Sequence, residues 1–332
     1  MNVPRFEPVR LGVVGLGNFG RQHAQTIVGL AECELVSLVA RRQESIDKSG
    51  VDKSTVSSWL DLDKAISESS AEAWVVASTT ASHVDITTRL LRAGKTVLLE
   101  KPISQDLQEA ERLEHWVRSN PDNVMMGHIV LFNSEYRKLR EEAVQRGKIV
   151  YVNGVRHRPT EYLRKFPGEN PMYMTMVHDL YATLALMNRE DPDHFSAQFH
   201  WTVEDQVDLV VVQLRWPGGT LATFTSSLLT PSGMGSNGFD FLEIYGEQWV
   251  GRMRPNPRPI EIWDNKARWP MPLEIRSDMI APAGMMAEEL RCFCRVVRGL
   301  ESVPVGATYA DALQVQRWMH ELESVAVHVR AH

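Results

Sequence analysis

Residues 9–20 decide the fold: Val-Arg-Leu-Gly-Val-Val-Gly-Leu-Gly-Asn-Phe-Gly. The apolar run 9–14 predicts a short buried strand, and the spacing of Ala24, Ile27 and Leu30 predicts an amphipathic helix after the glycines. A strand, then GxGxxG, then a helix is the context that a dinucleotide-binding turn requires. Five residues of this turn are therefore expected to bind the cofactor: Gly15, Gly17, Asn18, Phe19 and Gly20. Without a ligand, the same pattern would be only a glycine-rich turn.

Strands and helices alternate after this turn. Further strands are predicted over residues 35–40, 73–77, 96–99 and 124–127, and helices over 84–92 and from about 104, capped by Ser104, to 117. Such alternation predicts a doubly wound, parallel α/β sheet of the Rossmann type. We expect residues 1–127 to form an NAD(P)-binding domain.

Two arginines follow the second strand, where NAD-specific folds carry an acidic residue that binds the ribose 2′-hydroxyl. A guanidinium can instead pair with a 2′-phosphate. Arg41 and Arg42 therefore favour NADP, although NAD remains possible if both side chains are merely solvated. The loop after residues 73–77 contributes further expected cofactor contacts, namely Ser78, Thr79, Thr80 and His83, the last of which could equally pack at the start of a helix.

The segment 97–102, Val-Leu-Leu-Glu-Lys-Pro, ends a predicted buried strand with charged residues. Ligands in open α/β sheets bind outside the carboxyl ends of the strands. Glu100, Lys101 and Pro102 are therefore expected beside the cofactor, with Lys101 placed to act on a substrate. A structural salt bridge between Glu100 and Lys101 is the alternative.

The pattern changes after His128, and residues 128–332 are expected to form an α+β domain for substrate binding and oligomerisation. Strands are predicted over residues 149–158, 197–203, 207–216, 220–229, 239–245 and 249–252, with turns at 217–219 and 231–238. Helices are predicted over residues 133–147, 172–187, 283–298 and 309–329, and the proline-rich segment 253–282 is expected to wrap the surface. Runs of strands separated from helices predict a large open, mostly antiparallel sheet with helices on one face.

Length and composition limit the function. A chain of 332 residues favours two domains, and a formal net charge of −6 argues against a nucleic-acid partner. No apolar run approaches the ~20 residues that span a bilayer, so we expect no membrane partner. Residues 1–10 lack the apolar core of a signal peptide, so we expect a cytoplasmic location. The three cysteines, Cys33, Cys292 and Cys294, lack metal-ligand spacing, and we expect reduced thiols and no metal site.

Several of these segments together resemble the glucose–fructose oxidoreductase / inositol 2-dehydrogenase (Gfo/Idh/MocA) family. They are the glycine turn at Gly15, residues 93–102, Phe132-Asn133, Gly147-Lys148-Ile149 and His178 in the first long helix of a mostly β second domain. The resemblance covers nearly the whole chain. It implies an NAD(P)-dependent oxidoreductase acting on the CH–OH group of a sugar, sugar acid or polyol. It also implies a homodimer or homotetramer formed through the sheet of the second domain.

The resemblance implies that Lys101 and His178 are catalytic. His178 would be the general acid/base, and Lys101 would hydrogen-bond the reacting oxygen. The family usually has an aspartate four residues before this histidine, where this chain has Met174, and often an acidic residue three after it, where it has Tyr181. Because of Met174, a cofactor-binding regulator or scaffold with weak or lost catalysis is the alternative function. Reduction of a non-sugar carbonyl or imine is a third.

Four residues are expected at the substrate besides Lys101: His128, Arg158, His178 and Tyr181. Inositol-type members have arginines just after the glycine at position 127, where this chain has His128. Arg158 lies in a basic region with Arg156, His157 and Arg164, which would favour an anionic substrate such as a sugar acid or nucleotide sugar. A solvated strand end explains the same residues. Asp179 is expected to be structural.

Overall fold

A computed structural model describes residues 7–231, 238–257, 260, 262–263, 267–270 and 273–331. The chain forms two compact units, one of Met1–Phe132 with Ile275–Leu313 and one of Asn133–Glu274 with Gln314–His332. These units differ from the continuous ranges 1–127 and 128–332, because the helix after residue 284 packs on the helix that follows the glycine turn. The end of the chain therefore contributes to both units.

The strands of the described residues are numbered in chain order: β1 Val9–Val14, β2 Cys33–Val39, β3 Ser57–Trp59, β4 Ala73–Val76, β5 Thr96–Glu100, β6 Val124–Gly127, β7 Ile149–Pro159, β8 His194–Trp201, β9 Val207–Arg215, β10 Leu221–Thr230, β11 Phe239–Gly246, β12 Trp249–Asn256, β13 Ile262–Trp263, β14 Ala267–Arg268, β15 Ile275–Arg276, β16 Ala283–Gly284 and β17 Ala326–Arg330.

The helices are α1 Asn18–Gly29, α2 Gln43–Asp47, α3 Leu62–Glu68, α4 His83–Arg92, α5 Leu107–Glu111, α6 Glu114–Val117, α7 Ser134–Arg146, α8 Glu161–Lys165, α9 Val177–Leu186, α10 Met285–Val297 and α11 Tyr309–Ser324. Short 3₁₀ turns cover Thr80–Ser82, Pro121–Asn123 and Ile129–Phe132, and a π-helical turn covers Met172–Met176.

The first unit is built on a six-stranded sheet in the order β3-β2-β1-β4-β5-β6, in which every neighbouring pair is parallel. This is the Rossmann strand order: from β1 the chain adds strands first on one side of the sheet and then, from β4, on the other. Strand β4 is buried at all four positions, as expected for a sheet covered on both faces. The predicted doubly wound fold is confirmed.

The second unit contains a seven-stranded mixed sheet in the order β12-β11-β7-β10-β9-β8-β17. Four of its neighbouring pairs are antiparallel, whereas β10 with β7 and β17 with β8 are parallel. One face of its central strands is buried, with Phe224 and Val152 inaccessible to solvent. The π-helical turn that leads into α9 contacts β7 and β10, so this sheet positions the start of α9.

Three predicted helices differ from the structure. The helix expected from Ser104 starts at Leu107, because Asp106 is the cap: its carboxylate accepts a 2.7 Å hydrogen bond from the N–H of Glu109. This helix ends at Glu111, and a second short helix begins at Glu114. The last helix ends at Ser324, and Ala326–Arg330 instead extends the sheet beside β8.

The third difference concerns residues 172–187, which begin as a π-helical turn and become α-helical only at Val177. The predicted turn 231–238 includes residues 232–237, which lie outside the described residues, as do parts of the segment 253–282.

All three cysteines are buried free thiols. Among the residues that the structure describes, every helix is too short or too polar to cross a membrane.

Candidate functional site

The glycine turn follows β1, at the point between β1 and β4 where the strand order of the sheet reverses. Gly15 has φ = +89°, a backbone conformation that residues with a side chain rarely adopt. A Cβ at this position would also lie 2.5 Å from the backbone of Ser78, so both the conformation and the space require glycine. A Cβ at Gly20 would lie 1.8 Å from the carbonyl oxygen of Gly15. Gly17, by contrast, has no heavy atom within 4 Å of a Cβ, which leaves open the approach that a pyrophosphate needs.

Helix α1 starts at Asn18, directly after this opening. Its N-cap residue is Gly17, and no side chain caps the first turn. The first backbone N–H groups of a helix lack partners within the helix, and with the helix dipole they favour an anion. Asn18 is exposed and Phe19 half-buried at this end. The turn therefore fits the pyrophosphate of a dinucleotide.

The other predicted cofactor residues lie at the carboxyl ends of neighbouring strands. Arg41 and Arg42 follow β2, and both are exposed. The loop after β4 is fixed by Ser82, whose hydroxyl donates a 2.8 Å hydrogen bond to Ser78 Oγ, while Thr79 is exposed and Thr80 half-buried. Their contacts with a cofactor stay predictions.

The segment Glu100-Lys101-Pro102 leaves the tip of β5 and is held at both ends. Glu100 is 7% exposed, and its carboxylate oxygen Oε1 lies 2.7 Å from Nε2 of His23 on α1. Its other oxygen accepts a 3.3 Å hydrogen bond from the backbone N–H of Lys101. The half-buried Lys101 therefore follows a residue whose side chain is fixed.

His83 holds the other end of this segment. Its Nδ1 lies 2.8 Å from the carbonyl oxygen of Pro102, and its Nε2 lies 3.1 Å from that of Ser78. Burial lowers the pKa of His83, so at neutral pH the ring is uncharged and donates to one of these carbonyls at a time. These contacts agree with the prediction that His83 packs at the start of a helix. Contact between His83 and the cofactor stays a prediction.

His128 follows β6, next to β5 in the sheet. It is 2% exposed, and its Nδ1 donates a 2.5 Å hydrogen bond to the carbonyl oxygen of Gly306. Burial lowers the pKa of His128 to about 4, so the ring is neutral at pH 7. Contact between His128 and a substrate stays a prediction.

In the second unit, His178 lies in the first turn of α9, three residues before Tyr181. Its Nδ1 lies 2.7 Å from the phenolic oxygen of Tyr181, which is fully buried, while His178 is half-buried. Met174 lies in the preceding π-helical turn and offers no carboxylate. Tyr181 therefore contacts the imidazole from inside the fold, and the contacts of His178 and Tyr181 with a substrate stay predictions.

A buried ionic network surrounds Arg156 on β7. Its guanidinium donates to both carboxylate oxygens of Asp179 at 2.9 and 2.8 Å and lies 3.4 Å from Asp240 on β11. Arg158 also donates to both oxygens of Asp240. Burial alone would lower the pKa of Arg156, but Asp179 and Asp240 raise it above its ordinary value. Asp179 is thus held in a buried ion pair, which agrees with the structural role expected for it.

This network lies in the predicted basic region, where contact between Arg158 and a substrate stays a prediction. Arg156 and Arg158 are balanced by two carboxylates, and His157 has its Nδ1 2.7 Å from Ser227 Oγ. Arg164 is exposed on α8. Asp240 lies 84 residues from Arg156 in sequence, so the sequence around the arginines gave no sign of the carboxylate that pairs with them.

Fold and glycine turn together define a nicotinamide-dinucleotide-binding Rossmann protein with a second α+β unit. Residues 9–128 match the family model described as "Oxidoreductase family, NAD-binding Rossmann fold", and residues 122–249 match the GFO/IDH/MocA C-terminal domain. The chain belongs to the GFO/IDH/MocA family of oxidoreductases.

Relatives agree with this membership. The chain is 26% identical over 236 residues to a myo-inositol 2-dehydrogenase of Thermotoga maritima, covering 66% of this chain and 68% of that protein. It is 24% identical over 272 residues to an inositol 2-dehydrogenase of Rhizobium meliloti, covering 76% and 78%. The fold matches the crystal structure of scyllo-inositol dehydrogenase from Lactobacillus casei with bound NAD(H) and scyllo-inositol. That match has a TM-score of 0.81 and 17% identity, over 96% of this chain and 97% of that one.

Three residues near the candidate sites were not predicted from the sequence: His23, Asp240 and Glu289. His23 lies three residues after the last glycine of the turn, so its position on the first turns of α1 was a usable signal. Asp240 and Glu289 had no local signal, because the residues beside them are distant in sequence: Arg156 lies next to Asp240, and Glu100 lies near Glu289.

Proposed function

We propose that this chain catalyses reversible hydride transfer between a nicotinamide cofactor and a secondary alcohol of a polyol of the inositol or sugar type. The observation that carries the proposal is the fixed position of Lys101. It follows Glu100, which His23 holds, and precedes Pro102, which His83 holds, at the carboxyl edge of a Rossmann sheet. The relatives named inositol 2-dehydrogenases support the substrate class.

Two side chains have the chemistry that alcohol oxidation needs. The Lys101 ammonium would donate a hydrogen bond to the reacting oxygen and stabilise the negative charge that develops on it. His178 would accept the hydroxyl proton at the ring nitrogen that does not face Tyr181. Nicotinamide, when bound, supplies the carbon that accepts the hydride with its electron pair. In the reverse direction, His178 returns the proton to the oxygen.

We propose a neutral polyol over an anionic one, because Asp179 and Asp240 already balance the charges of Arg156 and Arg158. The test is a panel of inositols, sugar alcohols, sugars and sugar acids, each assayed with both cofactors by the absorbance of the reduced nicotinamide. We expect turnover of a neutral polyol and no gain from a carboxylate. A preference for sugar acids would contradict the neutral substrate.

A second candidate function rests on Met174, which leaves the usual aspartate position without a carboxylate. On this alternative the chain is a cofactor-binding regulator or scaffold of the same fold. Cofactor binding, measured by nicotinamide fluorescence, without turnover of any compound in the panel would favour it.

We propose NADP as the preferred cofactor, since Arg41 and Arg42 are both exposed at the end of β2. Arg41→Asp is expected to shift the ratio of KM values toward NAD by about 10–100-fold, the effect of losing one or two charge-assisted hydrogen bonds to a 2′-phosphate. Arg118→Asp is the matched control, because Arg118 is exposed beyond the end of α6. An unmodified protein that prefers NADH would show that the proposal is wrong.

A homodimer or homotetramer through the second-unit sheet also belongs to the proposal. The face opposite the buried one carries half-exposed side chains on its central strands, such as Tyr151 and Thr223, and Leu221 is 50% exposed. A face of this composition could be covered by a second copy of the chain.

A further inference from the structure

Three buried titratable side chains lie behind the segment that carries Lys101. They come from three elements of the first unit: His23 from α1, Glu100 from the end of β5 and Glu289 from α10. His23 and Glu289 are 0% exposed and Glu100 is 7% exposed. One nitrogen or oxygen atom of each lies within 4.8 Å of the others.

Glu100 already has two donors. His23 Nε2 lies 2.7 Å from Oε1, and the N–H of Lys101 donates to Oε2 at 3.3 Å. Nδ1 of His23 has no hydrogen-bond partner among the described residues, which suits an imidazole with its single proton on Nε2. Glu100 is therefore arranged to be the carboxylate of the cluster.

Glu289 differs from Glu100, because neither of its carboxyl oxygens has a donor among the residues that the structure describes. An unpaired carboxylate in a dry interior is strongly disfavoured. Two carboxyl groups with oxygens within 4.8 Å of each other repel when both are ionised, which favours a proton on one of them. Among the described residues, the titratable groups near Glu289 are His23, Glu100 and the thiol of Cys292 on the same helix, and burial raises the pKa of Cys292 so that this thiol is neutral. Lys101 directly follows Glu100, and the neutral His128 interacts with Glu100. Burial and the Glu100 carboxylate raise the pKa of Glu289 well above its ordinary value.

We propose that Glu289 is a positioning residue whose carboxylic acid donates a hydrogen bond to Glu100 and so fixes the backbone that presents Lys101. The part of this proposal that concerns catalysis by Lys101 rests on the proposed function. The protonation of Glu289 does not depend on it. The same three side chains could instead hold a divalent cation, and the first experiment separates the two occupants.

The first experiment is an infrared difference spectrum between the unmodified full chain and Glu289→Gln at neutral pH. We expect the unmodified protein to show a carboxylic-acid C=O band that Glu289→Gln lacks and that Glu288→Gln, the neighbouring control on α10, retains. Elemental analysis of the same samples should find no bound metal. Absence of the band, or a stoichiometric metal that Glu289→Gln loses, would overturn the proposal.

The second experiment compares substitutions by their kcat and KM. Glu289→Gln keeps a donor of the same shape and should keep kcat within about 3-fold, whereas Glu289→Leu should lower kcat by about 10-fold or more through misplacement of Lys101. Cofactor affinity should stay unchanged in both. Equal kcat values for the two variants would contradict a donor role.

A second variant, Gly127→Ala, tests the positioning role even if Glu289→Leu does not fold, because it displaces the Glu100 carboxyl and leaves Glu289 in place. Gly127 is the β6 partner of Glu100, and an added Cβ would lie 3.0 Å from the Glu100 carboxyl carbon, so the carboxyl must move. We expect kcat to fall while the infrared band of Glu289 persists, and an unchanged kcat would contradict the positioning role. If Lys101→Ala itself retained full activity, the proposed function would fail, and the band would still decide the protonation of Glu289.

Discussion

Lys101→Ala is expected to lower kcat by about 10²–10³-fold, the loss seen when one preorganised donor to a developing oxyanion is removed. The fall should appear in kcat more than in the KM of the cofactor, because the glycine turn and the start of α1 are untouched. Lys101→Arg should recover little, since a planar guanidinium does not place its donors where a single ammonium does.

The measurement is steady-state turnover of the best substrate in the polyol panel, with cofactor binding followed separately by fluorescence. Lys64→Ala is the control, because Lys64 is an exposed residue of α3. His178→Ala should give a loss of about 10²–10⁴-fold, as expected for a general acid/base. If both Lys101→Ala and His178→Ala kept the unmodified rate, neither residue would be catalytic.

The fold of the first unit was predictable because its signals are local. Apolar runs at β1 and β4, a glycine turn and helical spacing in α1 each depend on a few adjacent residues. The covered parallel sheet follows from them, because strands that are apolar at nearly every position need helices on both faces. The tip of β5 was likewise placed from its own sequence.

The missed features depend on partners that are distant along the chain. Strand β17 was predicted as helix, because only its pairing with β8 makes residues 326–330 a strand. The link between His23 and Glu100 joins residues 77 positions apart. Tyr181 could be named from the sequence because it lies three residues after His178, but its role as a hydrogen-bond partner needed the burial of its ring.

Asp179→Asn is expected to destabilise the second unit by about 3–5 kcal/mol, the effect of removing one partner from a buried ion pair. The substitution keeps the side chain's shape and one acceptor oxygen but removes its negative charge. Among the described residues, the carboxylate that then faces Arg156, which is 4% exposed, is that of Asp240 at 3.4 Å, and Asp240 already pairs with Arg158. Asp240 cannot balance two guanidinium groups in a dry interior. The free energy of unfolding should therefore fall by most of the cost of burying a guanidinium without a carboxylate of its own.

Denaturant unfolding followed by circular dichroism measures this change. Asp193→Asn is the matched control, because Asp193 forms a 2.9 Å ion pair with Arg215 that solvent reaches on both sides, and such pairs contribute little. We expect no resolvable change in the control. Replacing Arg156 and Asp179 together by Met and Leu should restore much of the loss, since paired removal of buried charges is far better tolerated than removal of one. An Asp179→Asn protein as stable as the control would mean that Asp240 alone compensates Arg156, and Asp179 would then be free for a role at the substrate.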